Sequence, residues 1–129
     1  MVAIKPQQTI LIVEDSALMQ VFIKRVFEQD YQVITVSSAI DALATLNHEK
    51  IAVILLDVEM PGMDGLDLCR TIRAMPNFIN LPIIMVTAKD TPIDKIKGKN
   101  AGATEYLTKP FNNLQLRQTV TKYIEVMRS

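Results

Sequence analysis

The sequence predicts an α/β domain: a five-stranded parallel sheet with helices on both faces. Two observations carry this. Short apolar runs, mostly rich in Ile, Val and Leu, recur at Thr9 to Val13, Gln32 to Val36, Ile51 to Leu56, Pro82 to Val86 and Glu105 to Leu107, too short for helices and suited to strands, the middle ones buried on both faces. Segments with helical spacing separate them, and strict alternation of strand and helix implies parallel neighbours joined by right-handed crossovers.

The helices follow in order. Ser16 is a candidate N-cap ahead of an apolar stripe of Leu18, Phe22 and Val26, and Ser38 caps a second helix with Ile40, Leu43 and Asn47, with Asp41 three residues on. A third helix is expected from about Gly65 to Met75 and a fourth from about Thr91 to Asn100, the latter weakened by Gly98. A fifth runs from about Asn113 to Met127, its stripe formed by Leu116, Val120, Ile124 and Met127.

At 129 residues, 49% hydrophobic and 22% charged, the chain fits one ordered domain with a real core. Fourteen basic residues balance fourteen acidic ones, so no global field favours nucleic acid or anionic lipid. One cysteine, Cys69, excludes an internal disulfide and no Cys/His cluster has zinc spacing. The start MVAIKPQQ lacks the apolar core of a signal peptide and no run approaches the roughly 20 residues of a membrane span, so the expectation is a soluble, cytoplasmic protein.

Ligands of such sheets bind beyond the carboxyl ends of the strands. Here the first strand ends on Glu14-Asp15, the third on Asp57-Val58-Glu59, the fourth on Thr87-Ala88-Lys89 and the fifth on Thr108-Lys109-Pro110. Two carboxylates about 4 Å apart repel by roughly 4 kcal/mol at an effective dielectric near 20, so this edge calls for positive charge. Oxygen-only ligands suit Mg²⁺, and a carboxylate beside that ion, a Lys and a Thr hydroxyl forms a workable set for phosphoryl transfer with Asp as nucleophile. Each part also has a plain structural reading: acids favoured at a helix N-terminus, Asp57 starting a turn, Thr87 capping a helix, Lys109 solvated. Their coincidence at four strand ends favours the site. His48 reads as a helix-terminal surface residue, Cys69 as packing, and the scattered methionines as core filling.

In this order these residues resemble the receiver domains of two-component response regulators, from about Thr9 to Met127. The motif residues are Glu14-Asp15, Asp57 in Leu-Leu-Asp-Val-Glu-Met-Pro-Gly-Met-Asp-Gly, Thr87-Ala88 and Lys109-Pro110. The resemblance implies a flavodoxin-like sheet of order 2-1-3-4-5 and a cis Lys109–Pro110 bond. It implies that Asp57 accepts a phosphoryl group from a phosphohistidine of a sensor histidine kinase or phosphotransfer protein, and that the aspartyl phosphate later hydrolyses. Mg²⁺, or Mn²⁺, would be held by Asp15, by Glu14 through water, by Asp57 and by the backbone carbonyl of Glu59. Lys109 and Thr87 would bind phosphoryl oxygens, small Ala88 would leave the donor a path, and Tyr106 would move inward with Thr87. The resemblance further implies a signalling phosphoacceptor rather than an enzyme proper, switching the face of the fourth helix, fifth strand and fifth helix.

That face is expected to carry Lys95, Lys97, Lys99, Tyr106 and Lys122, a basic rim for an acidic segment of a downstream protein; Lys95, Lys97 and Lys99 are too closely spaced to share one helix face, which favours a plain solvated helix over that rim. The expected state is a monomer or weak dimer without direct nucleic-acid binding or membrane insertion. One domain is expected to fill residues 1–129, as a stand-alone receiver or part of a larger protein. A receiver acting without phosphorylation and an aspartate-nucleophile phosphatase are the rivals; the intact acid, Thr and Lys set argues against the first, and the short chain leaves the second little room for a cap. A flavin-binding relative of the same fold would want a phosphate cradle where Glu14 and Asp15 stand. Finally, the matched offsets of Glu59 and Lys89 predict a contact across the mouth of the site that tunes access to Asp57.

Overall fold

The structure, a computed structural model, describes residues 8–128, and the side chains of residues 8–124. Five strands, β1 (Thr9–Val13), β2 (Gln32–Val36), β3 (Val53–Leu56), β4 (Ile83–Thr87) and β5 (Glu105–Thr108), form one sheet of order β2-β1-β3-β4-β5 in which every pairing is parallel. Five helices connect and flank them: α1 (Ala17–Phe27), α2 (Ala39–His48), α3 (Gly65–Arg73), α4 (Pro92–Ala101) and α5 (Asn113–Arg128), with a 3₁₀ turn at Pro76–Phe78. Fold class and strand order are as expected, and the Lys109–Pro110 peptide is cis. The third strand is two residues shorter at its start than predicted, because half-buried Ile51 and Ala52 form the lead-in.

Alternation along the strands divides the core. Ile10, Ile12, Val53, Leu55, Ile84 and Val86 face α1 and α5, packing on Ile23, Phe27, Leu116, Val120 and Ile124. Leu11, Val13, Ile54, Leu56, Ile83 and Met85 face α2, α3 and α4, where Leu68, Cys69 and Ile72 meet them. Each such side chain fully removed from water contributes roughly 1.5–3 kcal/mol.

Two of the predicted helix faces are right only in part: Val26 and Leu43 pack against the core, the rest of each stripe does not. The caps Ser16 and Ser38 are right, each hydroxyl accepting from the backbone N–H three residues on. Yet Leu18 and Phe22 are 67% and 52% exposed, and the buried ridge is Ile23 and Phe27. Leu18–Phe22–Val26 and Met19–Ile23–Phe27 are neighbouring ridges with the same i, i+4 spacing, so the pattern fits two rotations of α1 and only the sheet chooses. In α2, Ile40 is 77% exposed while Ala39, Ala42, Thr45 and Leu46 are buried; small residues let the helix sit close to the sheet. The stripe of α5 is as expected through Ile124, and the side chain of Met127 lies outside the described residues.

Gly98 does not break α4. The helix runs its full length, opened by a capping box in which Thr91 and Asp94 satisfy each other's backbone N–H groups. The Tyr106 ring lies so near Gly98 that an added Cβ would stand 2.8 and 2.9 Å from two of its carbons. The glycine serves a close approach.

Candidate functional site

Strand register assembles the carboxyl edge. Val13 pairs with Leu56, and the Asp57 N–H donates to the Val13 carbonyl at 3.1 Å, so the residues following β1 lie beside Asp57. Thr87 pairs with Thr108, and the Lys109 N–H donates to the Thr87 carbonyl at 2.8 Å. Glu14, Asp15 and Asp57 each offer an oxygen within 4.8 Å of the others. Asp57 is 7% and Glu14 2% exposed, whereas Asp15 faces solvent.

Lys109 binds this group together. Its Nζ donates to Glu14 Oε1 at 2.5 Å and to Asp57 Oδ2 at 3.0 Å, while Asp57 Oδ1 accepts the Glu59 N–H at 3.0 Å. Burial pushes the Glu14 carboxyl above its ordinary range; the Lys109 hydrogen bond opposes that shift and the Asp57 charge adds to it. Burial pulls the Lys109 ammonium down, but its hydrogen bonds to Glu14 and Asp57 outweigh this and leave it raised. The oxygen donor set fits a hard divalent cation.

Thr87 is fully buried at the end of β4, its Oγ1 accepting the Lys89 N–H at 3.3 Å. Ala88 and Lys89 are exposed beside it. Tyr106 donates its hydroxyl to the Lys89 carbonyl at 2.6 Å, tying β5 to the loop after Thr87. The expected Glu59–Lys89 contact is absent: none of the four ion pairs among the described residues joins them. Their backbones are held by Asp57, Thr87 and Tyr106, and both side chains extend into water, where a solvated pair gains little.

On the face of α4, β5 and α5, Lys95 and Lys99 line a groove of about 330 Å³ with Tyr106 and Glu105. Lys97 is exposed but lies outside that lining. Lys122 sits 5.3 Å from the centre of the Tyr123 ring, whose hydroxyl donates to Glu105 Oε1 at 2.5 Å. Burial, followed by the carboxylates of Asp94, Asp57, Asp90 and Glu59, pushes Tyr106 up to about 12. The Glu105 hydrogen bond, then burial, pushes Tyr123 up to about 12.

An absorbance titration of the phenolates is therefore expected to show two tyrosines ionising at about 12. Tyr106→Phe should remove one of them. Because the folded state favours both neutral forms, their contribution is intact below the ordinary value of 10.0 and is lost as pH rises toward 12. Ionisation of both near 10 would contradict this.

Three residues that matter locally escaped the sequence reading. Gln20 of α1 donates to the carbonyls of Glu14 at 2.6 Å and Val36 at 3.3 Å. Gly65 at the start of α3 abuts the Asp57 carbonyl. Arg73 at the end of α3 gathers carbonyls at the far edge of the sheet. Only Gly65, in the turn-like Met-Asp-Gly, carried a local signal.

The family model described as "response regulator receiver domain" matches residues 10–121. The chain belongs to that family. It is a receiver domain of two-component signalling. It is 34% identical over 121 residues to a histidine kinase of Formosa agariphila, a match covering 94% of this chain and 9% of that protein, so the chain spans under a tenth of the length of that curated relative. Among solved structures it is similar to the receiver domain of a sensor histidine kinase from Pseudomonas aeruginosa PAO1, with a magnesium ion coordinated in the active-site cleft (32% identity, TM-score 0.85, 92% and 98% of the two chains). It is equally similar to a chemotaxis response regulator of Vibrio cholerae (31% identity, TM-score 0.85, 91% and 98%). Receiver domains interact with histidine kinases or phosphotransfer proteins and are signalling phosphoacceptors not generally classed as enzymes. No helix among the described residues of this receiver is long and apolar enough to cross a membrane.

Proposed function

We propose that Asp57 is the phosphoacceptor, taking a phosphoryl group from a phosphohistidine of a sensor kinase or phosphotransfer protein. The observation that carries this is the buried Asp57 carboxylate held between the Lys109 ammonium and the Glu59 N–H, with Glu14 and Asp15 alongside. A carboxylate oxygen of Asp57 attacks phosphorus, the P–N bond breaks, and the imidazole nitrogen takes the electron pair and a proton from solvent. Water later attacks the same phosphorus and restores the carboxylate.

Glu14, Asp15, Asp57 and the Glu59 carbonyl are the residues that would hold Mg²⁺, with Mn²⁺ as a substitute. When bound, that ion supplies positive charge for the transferred oxygens. Lys109 neutralises a phosphoryl oxygen, the Thr87 hydroxyl donates to another, and Ala88 leaves the approach open. Beside Lys109 lies a groove of about 210 Å³ lined by Met19, Phe22, Pro110 and Phe111, and Leu18 and Val21 extend this apolar surface along α1; it suits a helix of the phosphodonor.

Thr87 drawn toward the phosphoryl group would carry the Lys89 loop with it, and Tyr106 bonds that loop directly. The readout is then the groove of Lys95, Lys99 and Tyr106 with Lys122 nearby, binding an acidic segment of a downstream protein. The setting proposed is cytoplasmic, in a single receiver unit that is monomeric or weakly dimeric, without nucleic-acid contact or membrane insertion.

The test is to incubate the protein with Mg²⁺ and phosphoramidate or acetyl phosphate and weigh it intact. One added phosphoryl group, missing in Asp57→Asn, is expected. An adduct that survives in Asp57→Asn, or no adduct with steady turnover of a phosphate ester, would sink the proposal.

A further inference from the structure

We infer that Gln20 is a positioning residue for the acidic turn, setting how tightly Mg²⁺ binds. The inference rests on reading Glu14, Asp15 and Asp57 as the metal site. It begins with an asymmetry between the two acids that follow β1.

Glu14 is held on every side. Its carboxylate accepts Lys109 and the Ser16 N–H, and its own N–H donates to the Val36 carbonyl at 3.0 Å. Asp15 is exposed, and its carboxylate enters no hydrogen bond or ion pair among the described residues. Its place beside Asp57 is therefore set by the backbone from which it projects. That backbone is the Glu14–Asp15 peptide, whose carbonyl oxygen accepts Gln20 Nε2 at 2.6 Å.

The same nitrogen reaches the Val36 carbonyl at 3.3 Å. One amide group thus spans the carboxyl ends of β1 and β2 and fixes the plane of the peptide between the two acids. Gln20 can reach because α1 begins at the Ser16 cap, and the Gln20 N–H donates to the Ser16 carbonyl at 3.0 Å, one turn on. This places Gln20 toward the sheet edge while Leu18, Val21 and Phe22 face water. Without the amide, the peptide plane is free to turn, and Asp15 must be ordered when the ion arrives. A cost paid on binding appears as lost affinity.

The test is a calorimetric Mg²⁺ titration of wild type, Gln20→Met and Gln20→Arg, at a temperature where urea curves show all three folded. Gln20→Met keeps the length and removes the donor; it is expected to weaken Mg²⁺ about tenfold. Gln20→Arg restores N–H donors and should recover most of that loss. In parallel, the phosphoramidate reaction of Gln20→Met should approach wild type as Mg²⁺ is raised, since the defect is one of metal affinity. A Gln20→Met affinity within twofold of wild type, or a rate deficit unchanged by saturating Mg²⁺, would overturn the inference. Wild type that binds no Mg²⁺ would overturn the metal reading as well; wild type that binds Mg²⁺ but accepts no phosphoryl group would remove Asp57 as acceptor and leave the affinity comparison decisive for Gln20.

Discussion

Gly65→Ala is expected to destabilise the domain by about 3 kcal/mol and to weaken phosphorylation at Asp57 as well. An added Cβ would stand 2.2 Å from the Asp57 carbonyl oxygen and 2.8 Å from the Asp57 carbonyl carbon and the Val58 Cα. All three are backbone atoms, so no rotamer change relieves the clash. Either α3 withdraws, breaking the 2.9 Å bond from the Gly65 N–H to the Val58 carbonyl, or the end of β3 shifts and takes the Asp57 carboxylate with it. Urea unfolding and the intact-mass assay together distinguish these. Gly62→Ala provides the contrast, because Gly62 has φ +79° with nothing within 4 Å of an added Cβ. It should cost only the left-handed penalty of roughly 1–2 kcal/mol. A Gly65→Ala protein within 1 kcal/mol of wild type would show that the start of α3 yields freely.

Arg73→Met is expected to cost about 2–4 kcal/mol without touching the acidic edge. The guanidinium donates to the carbonyls of Gly102 at 2.8 Å, Phe78 at 2.8 Å and Leu81 at 2.6 Å, and to Thr104 Oγ1 at 3.2 Å. None of the ion pairs among the described residues includes it. Burial pulls this guanidinium down from its ordinary value, and carbonyl oxygens rather than a carboxylate solvate it. Removing it takes this donor from the Gly102 and Leu81 carbonyls, whereas the Phe78 carbonyl keeps the Leu81 N–H and Thr104 Oγ1 the Ile83 N–H. Arg73→Lys should recover only part of the loss, since an ammonium cannot fan out to oxygens in this planar arrangement. Unfolding curves measure the cost, and Mg²⁺ affinity serves as the control that stays level. If Arg73→Met unfolds at the wild-type midpoint, water replaces the arginine adequately.

The sequence made the alternation of elements legible because strand runs and caps are local signals. Ser16, Ser38 and Thr91 act as caps through bonds that span three residues. The acidic edge was legible for a different reason: parallel topology places every strand end on one side, so Glu14, Asp57, Thr87 and Lys109 had to converge. Rotation of α1 and α2 about their own axes was not legible, since apolar residues cover more than one face and only contact with the sheet selects between them. Gln20 and Arg73 were invisible for a related reason. Their partners are backbone carbonyls 16 and 29 positions away in the furthest cases, and a carbonyl has no letter in the sequence. The Glu59–Lys89 pairing failed because opposite charges at matched offsets do not meet when water competes for both.

The two ends of α4 are secured differently. Thr91 and Asp94 close the first turn using the helix's own side chains, whereas at the last turn Arg73 of α3 grips the Gly102 carbonyl. The last turn is therefore anchored to α3 through Gly102. The Tyr106 ring lies against Gly98 near that anchor and its hydroxyl holds the Lys89 carbonyl just before the first turn, with Ile93 and Ile96 exposed on the helix between them. A displacement of that one ring would therefore act at both ends of the helix and on the apolar surface between them.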